Sequence, residues 1–141
     1  MKRNNRQSDK IYIFLILVTS LFSSSLFASF PKTYYDFINI YNLEYKDKLP
    51  MKFDENTEIV KVKHTLHDFF IYFNININHE KLDKEAYTNT MKKRLSKEYC
   101  HNEYYGGLIK NDDAVFHFIF LYNQDQLHEL VLDRISCEKY H

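Results

Sequence analysis

Glycine is nearly missing from this sequence: Gly106 and Gly107, side by side, are the whole supply. No Gly-x-Gly-x-x-Gly spacing exists and no Gly-Lys-Ser/Thr follows the pair, which excludes the glycine-rich phosphate loops. The expectation for the pair is a turn needing positive φ, placed to feed the chain into its last strands. Tryptophan is absent, and 12 Tyr and 12 Phe supply the aromatic content. Cysteine is limited to Cys100 and Cys137, with no Cys-x-x-Cys, so the tight paired spacing of most zinc sites is missing. An excess of one charge is lacking too: 19 Lys+Arg balance 19 Asp+Glu. The one dense basic run, Lys92-Lys93-Arg94, reads as the solvated face of a helix. Phosphate binding needs clustered Lys/Arg, so nucleic acid is not an expected partner.

What is present begins at the N-terminus. Lys2, Arg3, Arg6 and Lys10 form a positive stretch, Ile11 to Val18 an apolar run, and Ser23, Ser24, Ser25, Ala28 and Ser29 a small-residue tail. That order is the pattern of a secretory signal peptide, with cleavage expected after Ala28. Residues 1–28 are therefore set apart from a single domain at 29–141. The alternative is an uncleaved anchor, since Ile11 to Phe30 is long enough to span a bilayer, although serines and a threonine interrupt it. Either reading exports the rest of the chain, to the periplasm or beyond. Membrane contact is expected only through this segment. Four basic residues and one acidic residue lie in 1–28, so the remainder is about three charges negative.

Periodicity organises the rest. In residues 31–48, Pro31 suits a first helical turn, and Tyr34, Ile38, Tyr41 and Tyr45 recur at helical spacing. Leu49-Pro50 ends that helix. Residues 57–77 change to period two. Val60 and Val62 are expected on one face of a first strand, opposite Lys61 and Lys63; "HTLHD" turns. Phe69, Ile71, Phe73, Ile75 and Ile77 then oppose Phe70, Tyr72, Asn74 and Asn76 on a second strand. Residues 80–99 return to helical spacing, with Asp83 as N-cap and Tyr87, Met91, Leu95 and Tyr99 as the apolar stripe. Residues 114–135 alternate again around "NQDQ", giving a second hairpin. Helix, hairpin, helix, hairpin predicts an α+β domain: a four-stranded antiparallel sheet with two helices packed on one face. The other face is left partly wet.

The two cysteines have one possible pairing, and export places them where disulfides persist. Cys100 closes the second helix and Cys137 follows the last strand. A bridge there contributes about 4 kcal/mol by the loop-entropy argument. A metal set of Cys100, His101, Cys137 and His141 lacks the usual spacing. A Cys100–His101 nucleophile is disfavoured because adjacent helical residues do not face each other. His64-x-x-His67 reads as turn polarity. Asp112-Asp113 read as a polar lead-in to a strand, pointing to opposite faces. His117, mid-strand among aromatics, reads as a hydrogen-bonded residue on the wetter face, or as a pH sensor if a carboxylate lies beside it. No metal, cofactor or catalytic set is expected.

The stretches "LPMKFDENTEIVKV", "FFIYFNINI", "RLSKEYC" and "GGLIKNDDAVFHFIFLYNQDQLHELVLDRISC" share a layout with small exported bacterial proteins. Over residues 49–138 the chain resembles the putative quorum-sensing-regulated virulence factor family. Pro50, Asp54, Thr57, Cys100 and Cys137 fill the matching positions. The sequence departs at "GGLIKNDDAV", which is longer than the family's Gly-Val lead-in. The resemblance implies an exported α+β domain with a disulfide and brings no catalytic residues. The expected function is binding to a protein partner, with Phe70 and Tyr72 on the open sheet face as the contact surface. The alternative is an envelope-assembly or secretion-system accessory role; an enzyme is the least favoured.

Overall fold

The structure, a computed structural model, describes residues 33–77 and 82–140. The expected signal segment (1–28), Pro31 and His141 lie outside the described residues. The first helix, α1, is Tyr34–Glu44; the Thr33 hydroxyl caps it by accepting from the Asp36 N–H at 3.2 Å. Its buried stripe is Tyr34, Ile38 and Tyr41, as the spacing predicts. A 3-10 turn at Lys46–Lys48 leads to a cis Leu49–Pro50 bond and the sheet.

The sheet has five strands where four are expected. They are β1 Met51–Asp54, β2 Thr57–His64, β3 Asp68–Ile75, β4 Val115–Tyr122 and β5 Asp125–Leu132, lying side by side in that order. The added strand, β1, is four residues long and carries too few alternations to show a period. The expected all-antiparallel pairing is also corrected. The β3–β4 pair is parallel, with Phe70 opposite His117 and Tyr72 opposite Ile119. Parallel neighbours need a long crossover. Here α2 (Lys84–His101) and α3 (Glu103–Asn111) form it.

Two local departures follow from the same geometry. A bulge between Ile59 and Lys61 shifts the register of β2, so Ile59 opposes Phe73 and Val62 opposes Ile71. Ile59 is thereby buried, and the expected Val60–Val62 face is replaced. The second departure concerns the glycines. They are not a turn: both lie inside α3, and neither has positive φ. A Cβ on Gly106 would come within 2.8 Å of the Cys100 carbonyl oxygen, so glycine there permits two helix ends to touch. Asn102 makes the corner, its side-chain oxygen accepting from the N–H groups of Tyr104 and Tyr105 at 2.8 and 3.2 Å. Asp83 caps α2 as expected, accepting from Ala86 N–H at 3.0 Å.

The helices pack on one face of the sheet. Phe37 of α1 meets Phe69 and Phe116 edge-on, Tyr99 of α2 meets Phe116 and Phe118, and Tyr105 of α3 meets Phe116. Phe73, Phe116, Phe118 and Phe120 are fully buried beneath them. Burial of each such ring contributes about 1.5–3 kcal/mol. A short helix, α4 (Arg134–Glu138), closes the fold through a reciprocal cap between Asp133 and Ser136. Among the described residues, no helix is long and apolar enough to cross a membrane.

Candidate functional site: the open sheet face

Cys100 and Cys137 form a disulfide with Cα atoms 5.3 Å apart, both nearly buried. A bonded sulfur offers no thiolate, so neither the nucleophile nor the metal reading has its key atom. No group of three or more His, Cys, Asp or Glu suited to a metal occurs among the described residues. His64 sits against the aromatic rings of Tyr41 and Phe69, and His67 lies exposed in the β2–β3 turn. Asp112 does not lead into a strand as a free carboxylate; it accepts the Tyr34 N–H at 2.7 Å and ties α1 to the end of α3. Asp113 holds a positive φ of 51°.

Among the described residues, two titratable groupings bear on function. The first lies among the helices, where Tyr99 stacks on Tyr105 at 4.3 Å and Tyr104 meets Tyr105 at 4.9 Å. Burial pushes all three phenols up from their ordinary range, so they stay neutral. Burial also raises the nearby Glu98 carboxyl. These rings fill each other's faces and pack on Phe37 and Phe116, which makes them core.

The second grouping is on the face opposite the helices. Alternation from the buried Phe69, Ile71 and Phe73 turns Phe70 and Tyr72 outward, and both are half-buried. Phe70 lies flat on the His117 imidazole, with ring centres 4.3 Å apart and planes at 19°. Tyr72 carries the Lys61 ammonium 5.3 Å from its ring centre. Lys63 is opposite Phe70 in the ladder, and Lys52 is opposite Glu58 on β1. The β1–β2 side of this face therefore carries more positive than negative charge.

His117 stands at the centre of three strands. Its Nε2 is 3.0 Å from Asp68 Oδ1 on β3, and its Nδ1 is 2.9 Å from Glu129 Oε1 on β5. The two carboxylates lie on opposite edges of the ring, so they cannot share one metal ion with it. Thr65 in turn donates to Asp68 Oδ2 at 2.9 Å. The hydrogen bond from His117 is the main reason the Asp68 carboxyl titrates below its ordinary range; the Thr65 bond helps and partial burial opposes it. Sequence reasoning identified His117 but neither of its partners. The usable signal was a lone mid-strand histidine with a carboxylate at the start of one neighbouring strand and another within the next.

No protein-family model matches the chain, and no curated protein does. The fold is similar to a crystal structure from Pseudomonas aeruginosa described as a putative secreted protein. The likeness has a TM-score of 0.58 and 14% sequence identity, and it covers 72% of this chain and 89% of that one. At that identity the two share a fold.

Proposed function

We propose that the protein is an exported, disulfide-tied domain that acts by binding a protein partner across its open sheet face, without catalysis. The observation that carries this reading is the outward row of Phe70 and Tyr72 beside Ile119, on the face the described helices leave uncovered. Aromatic side chains held on a rigid sheet give large contact area at small entropic cost. Lys52, Lys61 and Lys63 flank the row, so the fitting partner surface is apolar at its centre and carries carboxylates along one side. The leader pattern, the Cys100–Cys137 bridge and the printed description of the structural neighbour all favour export. The periplasm and the medium are both open destinations, and the resemblance in layout suggests a virulence-associated role. The non-catalytic reading rests on the chemistry of the side chains: the cysteines are bonded, the clustered phenols are neutral, and both nitrogens of His117 face carboxylates.

The test is photo-crosslinking in the producing cells from a probe at Lys61. A discrete protein adduct is expected there and not from probes at Tyr35 or Leu43, which are exposed on α1. Phe70→Ser with Tyr72→Ser should remove the adduct while the circular-dichroism spectrum is kept. Equal adducts from both sides sink the reading, and loss of the fold would make the two rings core residues. A second reading, an anchored envelope-assembly or secretion-system factor, draws on the apolar stretch Ile11–Phe30. Intact mass of the exported protein separates the two, since an anchored chain keeps residues 1–28.

A further inference from the structure

His117 makes more contacts than one neutral imidazole can satisfy. Both of its nitrogens lie within 3.0 Å of a carboxylate oxygen. A neutral ring has one N–H and one lone pair, whereas the imidazolium has two N–H donors. Both contacts are therefore hydrogen bonds only while both nitrogens carry protons. Remove one proton and one carboxylate faces a lone pair at the same distance, acceptor against acceptor.

The surroundings decide which carboxylate yields. Asp68 is fixed by its turn: Thr65 Oγ1 donates to its Oδ2 at 2.9 Å, the Asp68 N–H donates back to Thr65 Oγ1 at 3.1 Å, and the Asp68 carbonyl accepts the Thr65 N–H at 2.8 Å. Glu129 has a longer side chain on an edge strand. Among the described residues its one side-chain hydrogen bond is to His117. The remaining ring proton therefore stays on Nε2, facing Asp68. The other groups facing this row are His67 in the β2–β3 turn and Lys63 on β2, one strand beyond Phe70; Val131, opposite His117 on β5, is uncharged.

We propose that Asp68, His117 and Glu129 form a proton-gated latch on the open face. With the ring doubly protonated, Glu129 is held against its Nδ1 edge while Phe70 covers its face. When the Nδ1 proton passes to water, the Glu129 carboxylate is released and the row becomes one charge more negative. The latch closes on the acid side of the imidazole titration and opens on the alkaline side. Histidine is the side chain whose ordinary titration falls in the range an exported protein meets. The effect on partner capture rests on the binding reading above, because Phe70 lies on the latch. The latch itself does not depend on that reading.

The test uses the disulfide-bonded protein alone, labelled with 13C and 15N and followed by NMR across the whole pH range in which the fold persists. The Glu129 carboxyl carbon and the β5 amides around it should shift with the same midpoint as the His117 ring, while the Asp68 carboxyl carbon moves far less. His117→Gln should abolish that transition. In Glu129→Gln the ring should still titrate while β5 stays still, because an amide can accept from N–H or, turned over, donate to the lone pair. A Glu129 carbon that is silent through the ring titration, or that moves identically in His117→Gln, overturns the latch. Since no partner is present, either result leaves the crosslinking test of the binding face to stand or fall separately.

Discussion

Replacing Gly106 and Gly107 in turn by alanine should move stability in opposite directions, although the two residues are neighbours in one helix. In a helix interior, alanine is favoured over glycine by about 0.8–1 kcal/mol, because glycine loses more backbone freedom on folding. That gain is available in full at Gly107, where the nearest atom to a new Cβ is the Asn111 side-chain nitrogen, 4.0 Å away. At Gly106 the same methyl meets the Cys100 carbonyl oxygen at 2.8 Å and the Tyr99 carbonyl oxygen at 3.5 Å. Both are backbone atoms at the end of α2, and Cys100 is bonded to Cys137, so that end cannot slide away freely. Forcing an extra methyl into such a contact costs about 1–3 kcal/mol.

The expected outcome is that Gly107→Ala raises the urea midpoint by an amount worth about 0.5–1 kcal/mol. Gly106→Ala should lower it by up to about 2 kcal/mol after its own helical gain is subtracted. In a domain near 100 residues, each kcal/mol corresponds to about 4–8 °C in Tm, so the two variants separate well beyond error. The same pair made in a Cys100→Ser, Cys137→Ser background adds a check. With the end of α2 untethered, the Gly106→Ala penalty should shrink, a coupling between sites that touch. Stabilisation by both substitutions would refute the close helix contact, and equal destabilisation by both would refute the helical placement of the pair.

Other perturbations read other parts of the structure. Reducing the disulfide, or replacing both cysteines by serine, should cost about 4 kcal/mol for a loop closed over 37 residues, measured as the drop in unfolding free energy. Asn102→Ala removes the acceptor for two N–H groups at the α2–α3 corner and should cost about 1–2 kcal/mol by urea unfolding. Acid should weaken the fold in a defined direction. Asp68 is held low mainly by the His117 hydrogen bond and Asp133 mainly by the Ser136 backbone N–H. A carboxyl depressed in the folded state contributes stability above its unfolded value, and that contribution is lost as pH falls through the lower folded value. Stability should therefore fall on the acid side of ordinary aspartate titration, and Asp133→Asn should flatten that slope in urea midpoints measured across the acid range.

The fold was legible wherever burial imposes a period. Tyr34, Ile38 and Tyr41 on α1, Met91 and Leu95 on α2, and Phe69, Ile71, Phe73 and Ile75 on β3 are all buried as their spacing requires. The cysteine pairing was legible because only one pairing exists. Neighbour relations between strands were not legible, since alternation fixes which face a residue takes and says nothing about which strand lies beside it. Two hairpins with two helices fit the same alternation as the observed β1-β2-β3 meander joined through α2 and α3 to a parallel β4. The glycines misled because glycine has two uses, freedom at positive φ and the absence of a Cβ. Only the packing of Gly106 against Cys100 distinguishes them.

The site was hidden by register rather than by composition. Tyr122 pairs with Asp125 and Leu121 with Gln126 across the last turn. Continued without interruption, that register would set His117 opposite Leu130 and turn Glu129 toward the face of Phe118. A bulge after Phe120 adds one residue to β5, and the pairing becomes Phe120 with His128 and Ile119 with Glu129. One inserted residue reverses the faces of every position beyond it. It buries Leu130 and Leu132 under the helices and brings Glu129 round to His117. The parallel β3–β4 pairing does the same from the other side, since Phe70 opposite His117 places Asp68 one diagonal step from the ring. The histidine row on the open face is thus set by the same two features that order the sheet. A change that removed the bulge would unmake the core of β5 and the His117 contacts together.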